Sequence, residues 1–165
     1  MARMKLVVVG NGMAGMRTLE ELIKIAPDLY DITVFGAEGR PNYNRILLSH
    51  VLTDEMRFED IILNAIDWYA EHGITLHLNK RVVNIDRKSR AVFADDGTSA
   101  EYDRLLLSTG STPVILPIPG SNLKGVMGFR NIRDVKIMIE KCAVSRYAVV
   151  IGGGLLGLEA ANGLL

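Results

Sequence analysis

The sequence predicts an α/β protein built on a doubly wound parallel sheet, with an antiparallel β-meander inserted. Residues 6–9 form a short apolar, β-branched run, which is typical of a strand buried on both faces. A glycine cluster follows at once, and residues 13–25 then carry apolar side chains at helical spacing, ended by Pro27. Residues 32–35 form the next strand. A strand, a helix and a second strand in this order make a parallel βαβ unit, which opens a doubly wound sheet.

The composition excludes several classes of protein. The 165 residues include 19 lysines and arginines and 19 aspartates and glutamates, so no net charge attracts nucleic acid or anionic lipid. No apolar stretch reaches the roughly 18 residues that a membrane-spanning helix needs. Cys142 is the only cysteine, which excludes an internal disulfide and a cysteine-ligated metal site. We therefore expect a cytoplasmic protein with no metal, nucleic-acid or membrane partner.

The middle of the chain predicts the meander. Residues 58–72 look helical, and Gly73 stands where a left-handed glycine often ends a helix. Four short alternating segments follow, separated by turn residues, which is typical of an antiparallel meander over about residues 74–102. The four segments are 74–78, 81–86, 91–94 and 100–102.

The last third of the chain returns to longer elements. Residues 105–107 are predicted to form a fully buried strand, and the proline-rich stretch after them indicates a stiff linker. Residues 132–142 have helical periodicity, and residues 148–151 are predicted as a last buried strand before a helix that runs to Leu165. That helix has no stop signal, so we expect the chain to be cut there rather than finished.

The first glycine cluster fits the pattern G-x-G-x-x-G between a predicted strand and a predicted helix. Gly10 permits the tight turn, Gly12 lets the backbone approach a pyrophosphate, and Gly15 lets the helix pack closely on the strand. Met13 and Ala14 begin the helix, so the phosphates meet backbone N–H groups at the positive end of its dipole. The alternative is a purely structural turn, because glycine clusters also serve ordinary turns.

An acidic residue is expected about 20 residues after such a motif, where it holds the ribose of the nucleotide. Glu38, just past the second strand, meets this expectation best. The alternative is a solvated carboxylate in a loop.

A second glycine cluster repeats the strand–turn–helix setting near the end of the chain. Gly152, Gly154 and Gly157 occupy the three glycine positions, and Leu155 begins the helix. Two copies in one chain imply two dinucleotides, which is how an enzyme passes hydride from nicotinamide to flavin. The sequence therefore predicts a Rossmann-like fold that binds both FAD and NAD(P).

At these residues the sequence resembles the two-dinucleotide flavoprotein reductases, which include the glutathione, ferredoxin and rubredoxin reductase families. The resemblance covers the whole chain, and residues 105–113 look like the segment that returns the chain to the FAD domain. Within this group, the sequence looks like the N-terminal FAD/NAD(P)-binding region of the large subunit of assimilatory NAD(P)H nitrite reductase. The stretches that support this are 9–15, 31–35, 43–45, 69–74 and 152–161.

The resemblance implies a role for each candidate site residue, and it implies no catalytic nucleophile or general base. For FAD, the residues are Gly10, Gly12, Met13, Ala14 and Gly15 at the pyrophosphate, Glu38 at the ribose, Arg45 near the phosphates, Thr109 and Gly110 lining the cleft, and Ser49 as a further cofactor-binding residue. For NAD(P)H, they are Gly152, Gly154, Leu155 and Gly157 at the pyrophosphate, with Glu159 facing the nicotinamide.

Departures from the family patterns help to choose between the branches of the two-dinucleotide flavoprotein reductases. Ferredoxin-reductase-like members usually carry R-P-P-L-S-K, whose lysine lies near the flavin, whereas this chain has Arg45-Ile46-Leu47-Leu48-Ser49-His50. Disulfide reductases need a cysteine pair near the first helix, and this sequence has none. The pattern favours the nitrite reductase branch. A ferredoxin- or rubredoxin-type reductase and a non-catalytic dinucleotide-binding module are the alternatives.

The resemblance also implies an organisation into domains. Residues 1–120 are expected to form the N-terminal part of an FAD-binding domain, residues 121–146 a linker and helix, and residues 147–165 the truncated start of an NAD(P)-binding domain. Electrons would pass from NAD(P)H to FAD and on to downstream redox modules, with iron–sulfur centres and a sirohaem in the remainder of the protein and a small subunit as a further partner. This stretch alone is expected to be inactive.

Overall fold

A computed structural model describes residues 2–165. The described residues divide into two compact units. The first covers the chain up to Tyr43 together with Ile62–Gly110, and the second covers Asn44–Ile61 together with Ser111–Leu165. The domain boundaries expected from the sequence stay a prediction.

The described elements run from the strand β1 to the helix α5. In chain order they are β1 (Met4–Val9), α1 (Met13–Ile25), β2 (Tyr30–Phe35), α2 (Leu48–Leu52), α3 (Ile66–Glu71), β3 (Thr75–His77), β4 (Val82–Asp86), β5 (Ala91–Ala94), β6 (Ser99–Glu101), β7 (Arg104–Leu107), α4 (Ile132–Cys142) and α5 (Leu155–Gly163). Two short 3₁₀-helices cover Arg45–Leu47 and Phe58–Ile61. None of these helices has both the length and the apolar character needed to cross a membrane.

The first unit is built on a four-stranded sheet in the order β3-β2-β1-β7. Every neighbouring pair in it is parallel, and Val8 of β1 lies opposite Val34 on one side and Leu106 on the other. Because parallel strands need crossover connections, α1 joins β1 to β2 as the sequence predicts. The predicted α/β class with a parallel sheet is confirmed.

Side chains of the sheet alternate between two apolar clusters, one on each face. Leu6 and Val8 point to the face covered by Met16 and Leu19 of α1 and by Tyr69 of α3. The next residues along β1, Val7 and Val9, join Phe35 in the cluster on the other face, which Val92 and Ala94 of the meander cover. The sheet is therefore a middle layer, as its near-continuous apolar strands predict.

The antiparallel meander has three strands rather than the four that the sequence predicts. Its order is β4-β5-β6, whereas β3 pairs in parallel with β2, with Thr75 opposite Thr33. The physical reason is packing, since Ile74 and Leu76 belong to the apolar cluster beneath α1. Apolar and polar side chains alternate along residues 74–78 as in a meander strand. The strand nevertheless pairs with β2, which lies about 40 residues earlier in the chain.

The helix predicted over residues 58–72 is interrupted. A 3₁₀-helix over Phe58–Ile61 and α3 are separated by an extended stretch in which Leu63 N–H donates to the Asn42 carbonyl oxygen at 2.9 Å. That bond replaces an intrahelical one, so the helix cannot run through. Gly73 does end α3 in the left-handed conformation, with φ of +65°.

The strand β7 is less buried than the sequence predicts. It pairs with β1 on one side and is the last strand of its sheet. Leu107 is 57% exposed. An edge position in the described sheet accounts for the difference, because an edge strand lacks a neighbour on one side.

The second unit contains α2, α4 and α5. The helix α4 has the predicted bounds and begins with a capping box, in which Asn131 and Asp134 each bond the other's backbone N–H. The strand predicted over residues 148–151 is not formed, and Val149 and Ile151 are 87% and 70% exposed. A β-strand forms by hydrogen bonding to a neighbouring strand. No strand in the described part of the chain pairs with residues 148–151.

The helix α1 offers a matched test of the first core. Leu19→Ala, at a residue with no exposed surface, is expected to lower the free energy of unfolding by about 2–5 kcal/mol, because it leaves a cavity beneath the sheet. Ile25→Ala on the same helix, at a residue that is 81% exposed, is expected to change it by less than about 0.5 kcal/mol. Urea unfolding of both variants measures the difference, and equal losses would contradict the packing described.

Candidate functional site

The turn after β1 requires glycine at its first position. Gly10 has a φ of +116°, and a Cβ on it would lie 2.6 Å from the carbonyl carbon of Ser108 and closer still to its oxygen. Its N–H donates to the Phe35 carbonyl oxygen at 2.9 Å, which ties the turn to the end of β2. Both the backbone conformation and the neighbouring main chain therefore exclude a side chain here.

The third glycine of the motif brings α1 against the ends of β1 and β7. A Cβ on Gly15 would lie 2.9 Å from the Gly10 carbonyl oxygen and closer still to the Ser108 hydroxyl. That hydroxyl donates to the Gly10 carbonyl oxygen at 3.0 Å. Ser108 is not among the residues predicted for the site. As a small polar residue directly after a predicted strand, it carries a signal that could have identified it.

The second glycine of the motif, by contrast, faces open space. Gly12 is the N-cap of α1 in an extended conformation, and no atom lies within 4 Å of a Cβ built on it. No side chain caps the helix and no acidic residue lies in its first turn, while the first intrahelical bond runs from Met16 N–H to Gly12 at 3.0 Å. The N–H groups of Met13, Ala14 and Gly15 precede that bond. This arrangement fits a phosphate group, which needs open space and uncapped helical N–H donors.

The loop after β2 carries the predicted acidic residue beside this turn. Glu38 is half-buried and accepts a hydrogen bond from the Tyr43 hydroxyl at 2.8 Å. The loop is held to the glycine turn by Asn11, whose amide nitrogen donates to the Arg40 carbonyl oxygen at 3.4 Å. A Cβ on Gly36 would lie 3.0 Å from Cβ of Asn11, so the two loops are in close contact.

The segment after β7 completes this end of the sheet. Ser108 N–H donates to the Val9 carbonyl oxygen at 2.9 Å, and Thr109 follows with its backbone nitrogen 3.0 Å from the position of a Cβ on Gly10. Thr109 and Gly110 are exposed, and Gly110 has a φ of +74°. The structure thus brings the first motif, Thr109 and Gly110 together at the carboxyl ends of parallel strands, where doubly wound folds bind ligands.

A chain of buried polar groups lies under this site, and no pattern in the sequence predicts it. The Tyr69 hydroxyl donates to Asn11 Oδ1 at 2.8 Å and accepts from the Asn42 backbone N–H at 3.4 Å. Asn42 Nδ2 donates to Asn64 Oδ1 at 2.8 Å, and Asn64 Nδ2 donates to Glu20 at 3.0 Å. Burial raises the pKa of the Tyr69 phenol, so it remains a neutral donor.

One atom in this set of hydrogen-bonded polar groups has no partner among the described residues. Asn42 Oδ1 is fully buried and accepts no hydrogen bond there. An unsatisfied buried acceptor costs about 1–3 kcal/mol, and buried polar groups are usually satisfied. The cost indicates that the orientation of the Asn42 side chain is set by its other bonds.

The second glycine motif, in the second unit, reproduces the geometry of the first. Gly152 has a φ of +131°, and a Cβ on Gly157 would lie 3.0 Å from the Gly152 carbonyl carbon and closer still to its oxygen. Gly154 is the extended N-cap of α5, with nothing within 4 Å of a Cβ. The first intrahelical bond runs from Leu158 N–H to Gly154 at 3.1 Å.

The other candidates of the second unit lie on its helices. Leu155 is the first residue of α5, and Glu159 is exposed on the same helix. Arg45 is half-buried and donates to the Arg130 carbonyl oxygen at 3.4 Å. Ser49 is buried in α2, with its hydroxyl 3.5 Å from the Ile46 carbonyl oxygen. The cofactor roles of these four residues stay predictions.

The described residues contain no group of three or more histidine, cysteine, aspartate and glutamate side chains that could hold a metal ion. Two of the histidines serve local packing instead. The ring of His77 packs on Phe35 with centroids 4.8 Å apart, and that of His72 packs on Trp68 at 4.4 Å.

The fold and the two glycine turns define an α/β protein of the dinucleotide-binding class. Residues 4–164 match the family described as pyridine nucleotide-disulphide oxidoreductase. The chain belongs to this family.

Named relatives and a solved structure agree with this assignment. The chain is 52% identical over its whole length to nitrite reductase [NAD(P)H] of Bacillus subtilis, of which it covers 20%. It is 49% identical over 99% of its length to the assimilatory nitrate reductase electron transfer subunit of the same organism, of which it covers 21%. A structure of the covalent putidaredoxin reductase–putidaredoxin complex superposes with a TM-score of 0.85 at 29% identity, over 99% of this chain and 40% of that one. The chain thus spans about a fifth of the length of the two curated relatives.

The contact between Gly15 and Ser108 gives a stability prediction. Gly15→Ala is expected to lower the free energy of unfolding by about 1–2 kcal/mol, because a clash of about 1–3 kcal/mol outweighs the gain of up to about 1 kcal/mol in helix propensity. Adding Ser108→Ala removes the hydroxyl and is expected to restore part of the loss. Gly12→Ala is the control, since its Cβ meets nothing, and alanine in place of an N-cap glycine costs less than about 1 kcal/mol. Urea unfolding that ranks Gly12→Ala as the more damaging variant would contradict this packing.

Proposed function

We propose that this chain binds FAD at its first glycine motif and NAD(P)H at its second. It thereby forms the nucleotide-binding part of a reductase that passes electrons from NAD(P)H through FAD to downstream centres. The observation that carries the proposal is the repeated turn. In both motifs an uncapped helix begins at an open glycine, and the first and third glycines approach closely.

The residues of the chain bind and orient the nucleotides. The N–H groups at the start of α1 would hold the FAD pyrophosphate, and Glu38, oriented by Tyr43, would bind the adenosine ribose. Thr109 and Gly110 would line the same cleft. Arg45 and Ser49 are further candidates for FAD, Arg45 by positive charge near the phosphates. Bound flavin supplies the redox chemistry, by taking a hydride from the nicotinamide and passing electrons onward.

At the second motif, the N–H groups at the start of α5, from Leu155 onward, would hold the pyrophosphate of NAD(P)H. Gly152, Gly154 and Gly157 shape that turn as Gly10, Gly12 and Gly15 shape the first. Glu159, exposed on α5 one turn further along, would face the nicotinamide. No described residue is needed as a nucleophile, because the bound cofactors would supply the redox chemistry.

Nitrite reduction to ammonia is the overall reaction we propose. It is supported by the 52% identity to a nitrite reductase [NAD(P)H] and the 49% identity to an assimilatory nitrate reductase electron transfer subunit. His50 stands where ferredoxin-reductase-like sequences carry lysine, which also favours this branch. The iron–sulfur centres and sirohaem that such a reaction uses would belong to protein outside this chain.

A ferredoxin- or rubredoxin-type reductase is the second candidate. The observation that favours it is the superposition with putidaredoxin reductase over nearly the whole chain. The two candidates share the FAD and NAD(P)H sites and differ in the electron acceptor.

A visible absorption spectrum of the natural full-length protein that contains this chain, purified without added cofactors, separates the candidates. We expect flavin bands together with sirohaem and iron–sulfur bands. Flavin bands alone would favour a reductase with a separate ferredoxin or rubredoxin as acceptor. The absence of flavin would contradict the proposal itself.

A pair of matched substitutions tests which motif takes which nucleotide. Gly12→Ala is expected to raise the Kd for FAD on the order of ten-fold to a hundred-fold, because the methyl group occupies the open space at the helix start. Gly154→Ala in the same protein is expected to raise KM for NAD(P)H by a similar factor while the flavin content stays unchanged. The opposite pattern, with flavin lost from Gly154→Ala, would reverse the assignment.

A further inference from the structure

The polar groups beneath the first glycine turn form a chain of hydrogen bonds in which Asn42 donates on both sides, through its side-chain amide and through its backbone N–H. The carboxylate of Glu20 on α1 only accepts, so the amide nitrogen of Asn64 faces it at 3.0 Å. The Asn64 oxygen then faces Asn42, whose amide nitrogen donates to it at 2.8 Å. A charge on α1 therefore sets the orientation of both buried amides.

On the other side of Asn42 the hydrogen bonds continue through its backbone N–H to Tyr69, in the direction away from Glu20. The Asn42 backbone N–H donates to the Tyr69 hydroxyl oxygen at 3.4 Å, and the hydroxyl proton is left to donate to Asn11 Oδ1 at 2.8 Å. A phenol has a single proton, so this arrangement leaves the hydroxyl no other donor bond. Burial raises the pKa of Tyr69, and the proton stays in place at neutral pH.

Asn11 links two loops through the two hydrogen bonds of its side chain. Because its amide oxygen accepts from Tyr69, its amide nitrogen is turned toward the Arg40 carbonyl oxygen and donates to it at 3.4 Å. Asn11 lies between the first two glycines of the motif, and Arg40 lies two residues after Glu38. One side chain thus joins the turn that would hold the pyrophosphate to the loop that would hold the ribose.

We infer that Asn11 and Tyr69 are positioning residues for FAD, which hold these two subsites at one fixed separation. The inference rests on the proposed function. A dinucleotide reaches both subsites through covalent bonds, so its second contact forms at full strength only where the protein holds that contact at the matching distance. A ligand that occupies a single subsite has no such requirement.

The test uses the natural full-length protein freed of FAD, with Tyr69→Phe, Asn11→Ala and the two combined. Each single substitution is expected to raise the Kd for FAD on the order of ten-fold. The double variant is expected to bind no more weakly than the weaker single variant, because both residues act through one hydrogen bond. Tyr30→Phe is the matched control. Tyr30 is a half-buried tyrosine of β2 that packs on the same core, and its substitution is expected to leave the Kd unchanged.

Two competitors of FAD separate positioning from a general loosening of the fold. ADP occupies both subsites and adenosine occupies only the ribose subsite. In Tyr69→Phe the inhibition constant of ADP is expected to rise with the Kd for FAD, while that of adenosine stays unchanged. Equal rises for both competitors, or an unchanged Kd for FAD, would overturn the inference while the unsubstituted protein still binds FAD. Failure of the unsubstituted protein to bind FAD would overturn the proposed function as well.

Discussion

The first unit depends on the close approach of α1 to the ends of β1 and β7. Gly10, Gly15 and Ser108 meet there with no room for another carbon atom. The serine hydroxyl bonds the carbonyl oxygen of the first glycine at 3.0 Å, so the contact is polar as well as steric. This contact fixes where the helix begins relative to the sheet, and it thereby aims the uncapped N–H groups beyond Gly12 at open space.

Features that arise from local sterics follow from the sequence. The strand–glycine–helix pattern predicts α1 with the bounds that the structure has, and helical periodicity predicts α4 over residues 132–142. The elements that differ depend on partners far away in the chain. The segment at 74–78 alternates like a meander strand and pairs instead with β2, and the helix over 58–72 is broken because Leu63 bonds the Asn42 backbone. Neither partner leaves a local signal in the sequence.

The candidate site likewise has features that the local sequence predicts and features that depend on distant partners. The spacing of the glycines identifies the turn because each position answers a separate steric requirement, which Gly10 and Gly15 meet through contact and Gly12 through open space. Tyr69 in α3 and the asparagines in the loops give no periodic or compositional signal, since single polar residues usually face solvent. Their arrangement becomes visible only when the fold places residues 22 to 58 positions apart within hydrogen-bond distance.

The two turns show how much of this geometry is local. Residues 4–9 pair with strands on both sides, whereas residues 148–151 are not paired in the described sheets. The glycine turns after them nevertheless share a positive φ at the first glycine and a close approach between the first and third. The pattern of glycines and the following helix therefore suffice to form the turn. One difference between the motifs is the position between the first two glycines, where the first motif has Asn11 and the second has Gly153.

This difference matches the two nucleotides we propose. Asn11 bonds both Tyr69 and the Arg40 backbone, so the first turn is anchored by a side chain to the surrounding fold. Gly153 has no side chain to make such bonds, so the second turn has no anchor at this position. An anchored turn loses less conformational entropy when its ligand binds, which favours tight and lasting binding. Such binding suits a flavin that stays through every catalytic cycle, whereas a nicotinamide nucleotide must leave after each hydride transfer.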